Sequence, residues 1–199
     1  MVDMSSPASP ASPPRSDDSA AHLLRPVRES DASAILDAFA SAPDMSRQGD
    51  ATTIEQARQM ASWLSAPPRR GTAILDTACD ELVGVIGLSV DDDHRTGWFF
   101  YWLHAAARGQ GLAARAAASV ANHALRGTAD GGWGLEHLEL GHRANNPASG
   151  AVARAAGFVH EGIERQKFLI DGARHDVLTY GRVVGDPIPE TAELPWVHC

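Results

Sequence analysis

The run Leu103-His104-Ala105-Ala106-Ala107-Arg108-Gly109-Gln110-Gly111-Leu112-Ala113 is where residue types and spacing first point to chemistry. A β-prone aromatic stretch leads into it and an alanine-rich helical stretch leaves it. The first turn of a helix carries unpaired N–H groups and the positive end of the helix dipole. A strand, loop and helix in this order therefore form a ready anion site. Gly109 and Gly111 permit close backbone approach and unusual dihedrals, and Arg108 adds a fixed positive charge. Ala113, Ala114, Ala116, Ala117 and Ala118 keep the helix surface shallow enough for a bulky ligand. A plain strand-to-helix turn with an alanine packing face fits the same loop, and on the loop alone both readings stay open. Two familiar phosphate loops are set aside. A Walker loop needs Lys and then Ser or Thr where Leu112-Ala113 stands. A dinucleotide fingerprint needs three glycines in a βαβ unit, whereas hairpin strands precede this loop.

These residues need a scaffold, and the hydrophobic pattern supplies one. A first strand spans His22 to Val27. Ser30 is placed to cap a helix carrying Ile35, Leu36 and Phe39, and Asp44 to Asp50 reads as a polar loop. Thr52 and Glu55 have the capping-box spacing, and the helix they open runs past Met60 and Trp63 until Pro67-Pro68. Thr72–Asp76, Leu82–Val90 and Gly97–His104 read as strands. A helix follows from Leu112 to Leu125, then a half-buried strand from Glu136 to His142. Asn145-Asn146-Pro147 opens another helix, with Pro147 in its first turn, and Gly157-Phe158 ends it. Strands with a turn at Asp171-Gly172 complete the pattern to Val183. The order β-α-α-β-β-β-α-β-α-β-β implies a mixed, mostly antiparallel sheet covered by helices, an α/β (α+β) fold.

The chain has 199 residues, 25 acidic against 17 basic, and a net charge of −8. That length suits one domain with tails. Residues 1–21 are rich in Ser, Pro and Ala and have no means of offsetting ordering entropy, so a disordered tail is expected there. The domain is expected over 22–184, and residues 185–199, with Pro187, Pro189 and Pro195, read as a C-terminal tail. The acidic balance argues against nucleic acid as the main partner. No apolar run approaches the roughly 20 residues of a membrane span, and no secretory signal opens the chain. The expected location is the cytoplasm. Cys79 and Cys199 make neither a disulfide framework nor a metal site.

Beyond the loop, a series of motifs resembles the RimJ/RimL-like branch of the GNAT superfamily of acetyl-CoA-dependent N-acetyltransferases. Arg108-Gly109-Gln110-Gly111-Leu112-Ala113 matches its Arg/Gln-x-x-Gly-x-Gly/Ala signature, and Tyr101-Trp102-Leu103 its strand end. Asn146-Pro147-Ala148-Ser149, Ala156-Gly157-Phe158 and Glu161-Gly162 match its later series, and Asp176 and Tyr180 resemble residues near its last strand. The resemblance implies a sheet splayed between its fourth and fifth strands, with the thioester arm of acetyl-CoA in the gap. It implies that backbone N–H groups from Arg108 through Gly109, Gln110, Gly111, Leu112 and Ala113 hold the pyrophosphate. Backbone at Leu103, His104 and Ala105 would pair with the pantetheine arm as an added strand would. Asn146 would hydrogen-bond that arm, and Ser149 would serve the departing thiolate. Helix capping is the plainer role for both.

An attacking amine must be neutral, so a base or a water chain must take its proton. Some relatives carry Glu where Lys167 stands, and Lys167 is no ordinary base at neutral pH. Glu139, His104, Glu161 and Glu164 are nearby alternatives. His142, at the end of a strand expected to line the gap, has a suitable unperturbed pKa and is the candidate base, while a surface or structural histidine is the plainer reading for it and for His104. Acceptor selection is expected from Asp44, Met45, Ser46, Arg47 and Trp63, although Trp63 beside Met60 on a helix also reads as core. Trp98, Phe100 and Trp102 share one strand face and fit either a further wall or core packing. The resemblance leads to an expected acceptor that is a protein or peptide α-amine or a small aminoacyl compound, and overall acidity favours a cationic one through general steering. A homodimer is one assembly the chain could form. Two rival readings remain: a non-catalytic acyl-CoA-binding or sensor module on the same fold, and an interaction domain whose Gly loop is only a turn.

Overall fold

The computed structural model describes residues 21–170 and 172–197. The expected disordered segment, apart from Ala21, lies outside them, as do Asp171 of the last turn and Cys199. Seven strands form one sheet in the order β1-β2-β3-β4-β5-β7-β6. They are β1 His22–Pro26, β2 Arg69–Asp76, β3 Glu81–Asp91, β4 Thr96–Leu103, β5 His137–Arg143, β6 Val159–Ile170 and β7 Ala173–Val183. The helices are α1 Ala32–Ala40, α2 Ile54–Ser65, α3 Leu112–Leu125 and α4 Pro147–Ala155. Neighbouring strands pair antiparallel except β4 and β5, which run parallel. That parallel ladder joins only Thr96–Phe99 to His137–Leu140. Beyond it the strands part, so the sheet opens between its fourth and fifth strands as the family resemblance implies.

Both faces of the sheet are covered, which is why β3 reads as a nearly unbroken apolar run. On one face α1 and α2 bury Ile35, Ala38, Ala57, Ala61 and Leu64 against Val85 and Trp102. On the other, the alanine face of α3 and residues of α4 meet Ile86, Leu88, Phe99, Leu138 and Leu140. Small side chains on α3 bring that helix close to the strands it crosses.

Three local expectations shift. Ser30 does not cap α1; the Asp31 carboxylate accepts from the Arg28 N–H at 2.8 Å and pairs with buried Arg25. The capping box of α2 lies one residue on: Thr53 accepts from the Gln56 N–H, and the Gln56 side chain accepts from the Thr52 and Thr53 N–H groups. Gln satisfies the box as well as Glu does. The polar loop at 44–50 contains a 3-10 helix, Pro43–Arg47, anchored by buried Met45.

The segment read as a C-terminal tail is tied to the domain. The Leu24 N–H donates to the Pro195 carbonyl and the Val197 N–H to the Leu24 carbonyl, extending the β1 edge. Leu194 is buried, and its N–H donates to Ser119 Oγ on α3. Asn122 of α3 donates to Glu193 and accepts from buried Arg182, whose other nitrogen donates to the Ala156 carbonyl. Burial lowers the Arg182 pKa, against the pull of Asp186 and Glu193.

Candidate active site

Where β4 and β5 part, two hollows meet. One, of about 530 Å³, runs along the end of β4, the loop before α3 and the flank of α4; it includes Leu103, Arg108, Gly109, Gly111, Leu112, Ala113, Asn146 and Ser149. The other, of about 520 Å³, lies over Trp98, Phe100, Gly141 and the Lys167–Ile170 stretch of β6. Gln48, Tyr101, Asn146 and Ser149 line both.

The first hollow has the chemistry of an anion and amide cleft. Gly109 and Gly111 have φ of 78° and 73°, the left-handed region that favours glycine. A Cβ at either position would meet nothing within 4 Å, so the space beside this backbone is open to a ligand. The first turn of α3, at Leu112 and Ala113, presents N–H groups that have no intrahelical partner. On β4, the His104 N–H donates to the Val83 carbonyl of β3. Strand alternation then turns the backbone groups of Tyr101 and Leu103 toward the gap. This free edge, beside open space at two glycines, fits a pyrophosphate with an amide-bearing arm.

Several expected contacts are taken by protein partners. The Ala105 N–H donates to Ser41 Oγ, and with His104 also engaged only Leu103 of the three keeps its N–H toward the gap. Arg108 donates to both Asp44 oxygens at 3.0 Å and to the Leu103 carbonyl, so its charge braces the loop instead of standing free, and its backbone N–H, expected at the pyrophosphate, donates to the Ala105 carbonyl instead. Gln110 is exposed and donates to the Ala106 carbonyl. His104 Nδ1 accepts from the Ala106 N–H and Nε2 faces Asp37, which makes it a cap of the 3-10 turn Ala105–Ala107.

Asn146 and Ser149 form a closed pair at the start of α4. Asn146 Oδ1 accepts from the Ser149 N–H at 3.2 Å, and Asn146 Nδ2 donates to Ser149 Oγ at 3.0 Å. Capping and orientation are thus one arrangement. Because Ser149 Oγ accepts from Asn146, its own hydrogen is left to donate elsewhere. Among the described residues it has no acceptor. Tyr101, read from the sequence only as part of a strand end, donates to the Ser149 carbonyl at 3.4 Å. Burial raises its hydroxyl pKa above the ordinary 10.0, the bond to Ser149 opposing.

His142 is 6% exposed, and its ring stacks on Tyr180. Nδ1 donates to the Arg143 carbonyl at 2.9 Å, since a carbonyl can only accept, which leaves the lone pair on Nε2. Nε2 is buried with no partner among the described residues, against Gly150 of α4. The residue helps to line the second hollow, but its basic nitrogen is sealed beneath α4 and does not reach an amine there.

Around the second hollow, Trp98 and Phe100 form an aromatic floor, while Trp102 is core and touches only the first hollow. Trp63 lies outside both, stacked under Arg69 and beside Phe100. Arg47 lines the second hollow and Asp44 and Met45 the first; Ser46 instead donates to the Pro43 carbonyl. Lys167 sits over the Trp98 ring and pairs with Glu164. A β-bulge sets its position: Gln166 has φ 55°, and its N–H donates to Asp176 on β7. No group of three or more potential metal ligands occurs among the described residues, and no described helix is long and apolar enough to cross a membrane.

Residues 22–159 match the family model described as an acetyltransferase (GNAT) domain. Over 106 residues the chain is 30% identical to ribosomal-protein-serine acetyltransferase of Escherichia coli (strain K12), covering 53% of this chain and 56% of that protein. It thus spans little more than half of that curated relative's length. Among solved structures, RimL, a ribosomal L7/L12 alpha-N-protein acetyltransferase in complex with coenzyme A, aligns with TM-score 0.71 at 23% identity, over 85% of this chain and 97% of that one. A spermidine N-acetyltransferase SpeG chimera from Vibrio cholerae and hSSAT aligns with TM-score 0.67 at 20% identity, over 83% and 96%. At such identities these likenesses speak for the fold.

Proposed function

Since the chain belongs to the GNAT family of acetyltransferases, we propose that it transfers acetyl from acetyl-CoA to a primary amine by direct attack. The acceptor is the α-amine of a protein or peptide, or a small aminoacyl compound. When bound, acetyl-CoA supplies an activated thioester carbonyl for the amine to attack. The backbone N–H groups of Gly109 to Ala113 hold its pyrophosphate, helped by the dipole of α3. Leu103 and Tyr101 offer their strand edge to the pantetheine arm, and Asn146 flanks it. The amine enters from the hollow over Trp98 and Phe100 and loses its proton to water there, since His142 Nε2 is sealed away.

The observation that carries this reading is the Ser149 hydroxyl. Asn146 orients it, its hydrogen is uncommitted, and it stands where the two hollows meet. There it would donate a hydrogen bond to the sulfur of a bound thioester and so stabilise the departing thiolate. Lys167, standing in the place of a base, favours a second reading: a non-catalytic acyl-CoA-binding module. Thiol release from acetyl-CoA with a panel of amines separates the two. Amine-dependent release supports transfer; binding of acetyl-CoA with no release for any amine refutes it.

A further inference from the structure

The chain is strongly acidic, yet the amine-side hollow is not. Its charged lining consists of Arg47, Arg143, Lys167 and Arg174, with no Asp or Glu among the described residues that line it. The four cations come from the 3-10 helix after α1 and from β5, β6 and β7. An adjoining hollow of about 380 Å³ shares Arg47 and Arg143 and adds His175 and Asp44, whose two oxygens are already held by Arg108. Glu164 offsets Lys167 from outside the lining. Arg174 donates to the Gln166 and Lys167 carbonyls, which leaves its charge unneutralised. Arg143 is half-buried on β5 beside Gly141, and its guanidinium has no partner among the described residues.

Cations gathered in a confined hollow repel one another, and a half-buried one without a counter-charge among the described residues, as at Arg143, is costly to keep. A polyamine entering there meets like charge, which costs affinity. An amine that carries a carboxylate a few bonds away meets a fork of donors suited to it. Resting on the acetyl-transfer reading above, we infer that the acceptor is a primary α-amine with a neighbouring carboxylate, bound by Arg143 with Arg174 and Lys167 around it. An acidic peptide N-terminus and a free acidic amino acid share this chemistry.

The test uses the full chain with three kinds of probe: the peptide amide Ser-Asp-Glu-Ala, its neutral counterpart Ser-Asn-Gln-Ala, and spermidine. Free glutamate, run alongside, distinguishes a small acceptor from a peptide. Calorimetry of the CoA-loaded protein is expected to show the acidic peptide binding at least about 10-fold more tightly than the neutral one, the scale of one charge-assisted bond. The preference falls as salt rises, and kcat/KM follows the same order. Arg143→Gln is expected to cut the ratio at least threefold, and Arg143→Lys to restore part of it, with melting curves confirming that both fold. Lys167→Gln provides an independent reduction. Equal binding of the acidic and neutral peptides, or a preference for spermidine, overturns this inference and leaves acetyl transfer standing. A binding preference without turnover of any probe refutes acetyl transfer but not the anion-selective hollow.

Discussion

Replacing Gly111 by Val tests the loop before α3 on both stability and binding. The Gly111 backbone is left-handed, with φ 73° and ψ 0°. A β-branched residue held there costs about 1–3 kcal/mol. At about 2–4 °C per kcal/mol for a chain of this size, the melting temperature falls by roughly 2–12 °C. The added side chain enters space that is open within 4 Å, where the pyrophosphate is proposed to lie. Loss of one charge-assisted hydrogen bond, about 1.5–3 kcal/mol, weakens the Kd for CoA roughly 10- to 150-fold. Gly131 is the internal control: its φ is 76°, its Cβ space is equally open, and it lies in the turn after α3, outside both hollows. Gly131→Val should lose comparable stability and keep CoA affinity. Calorimetric titration of both variants below their melting temperatures is the assay. If Gly111→Val binds CoA as the parent does, or Gly131→Val loses as much affinity, the loop is not the anion cradle.

Other outcomes follow from the same contacts. Asn146→Ala removes both the α4 cap and the donor that orients Ser149, so differential melting should show a loss of about 1 kcal/mol and kinetics a lower kcat. Leu194→Ala empties a buried site against α3 and should cost about 2–5 kcal/mol by denaturant titration, with CoA affinity unchanged. Tyr101 holds its proton above pH 10.0 when folded, after the unfolded chain has released it. The unfolded state then binds fewer protons, so stability falls as pH rises above about 10. Tyr101→Phe should flatten that alkaline decline in melting temperature.

The scaffold was legible because its signals are local. Apolar periodicity gave α3 its limits, Pro147 and Gly157-Phe158 bracketed α4, and the turn glycines marked the loop. Charge placement was less legible, because it depends on which distant strands meet. Net acidity pointed to a cationic acceptor, while the hollow over Trp98 and Phe100 gathers Arg47, Arg143, Lys167 and Arg174. Alternation along β5 could have put Arg143 on the Gly141 face, but the bulge at Gln166 that aims Lys167 has no sequence signature. Tyr101 was read as part of a strand motif; its contact with Ser149 spans 48 positions. His142 fell on the expected strand, but with its basic nitrogen under α4, because alternation along β5 turns Leu138, Leu140 and His142 together toward the helices. The C-terminal segment looked like a tail because prolines hide the edge pairing that Pro195 and Val197 make with Leu24.

The central claim is that Ser149 assists departure of the thiolate at the junction of the two hollows. Its most direct test is Ser149→Ala, with acetylated amine followed by mass spectrometry and CoA affinity by calorimetry. Turnover should drop roughly 10- to 150-fold, the value of one hydrogen bond to a developing charge, with the Kd for CoA nearly unchanged. Turnover at the parent rate would contradict that role.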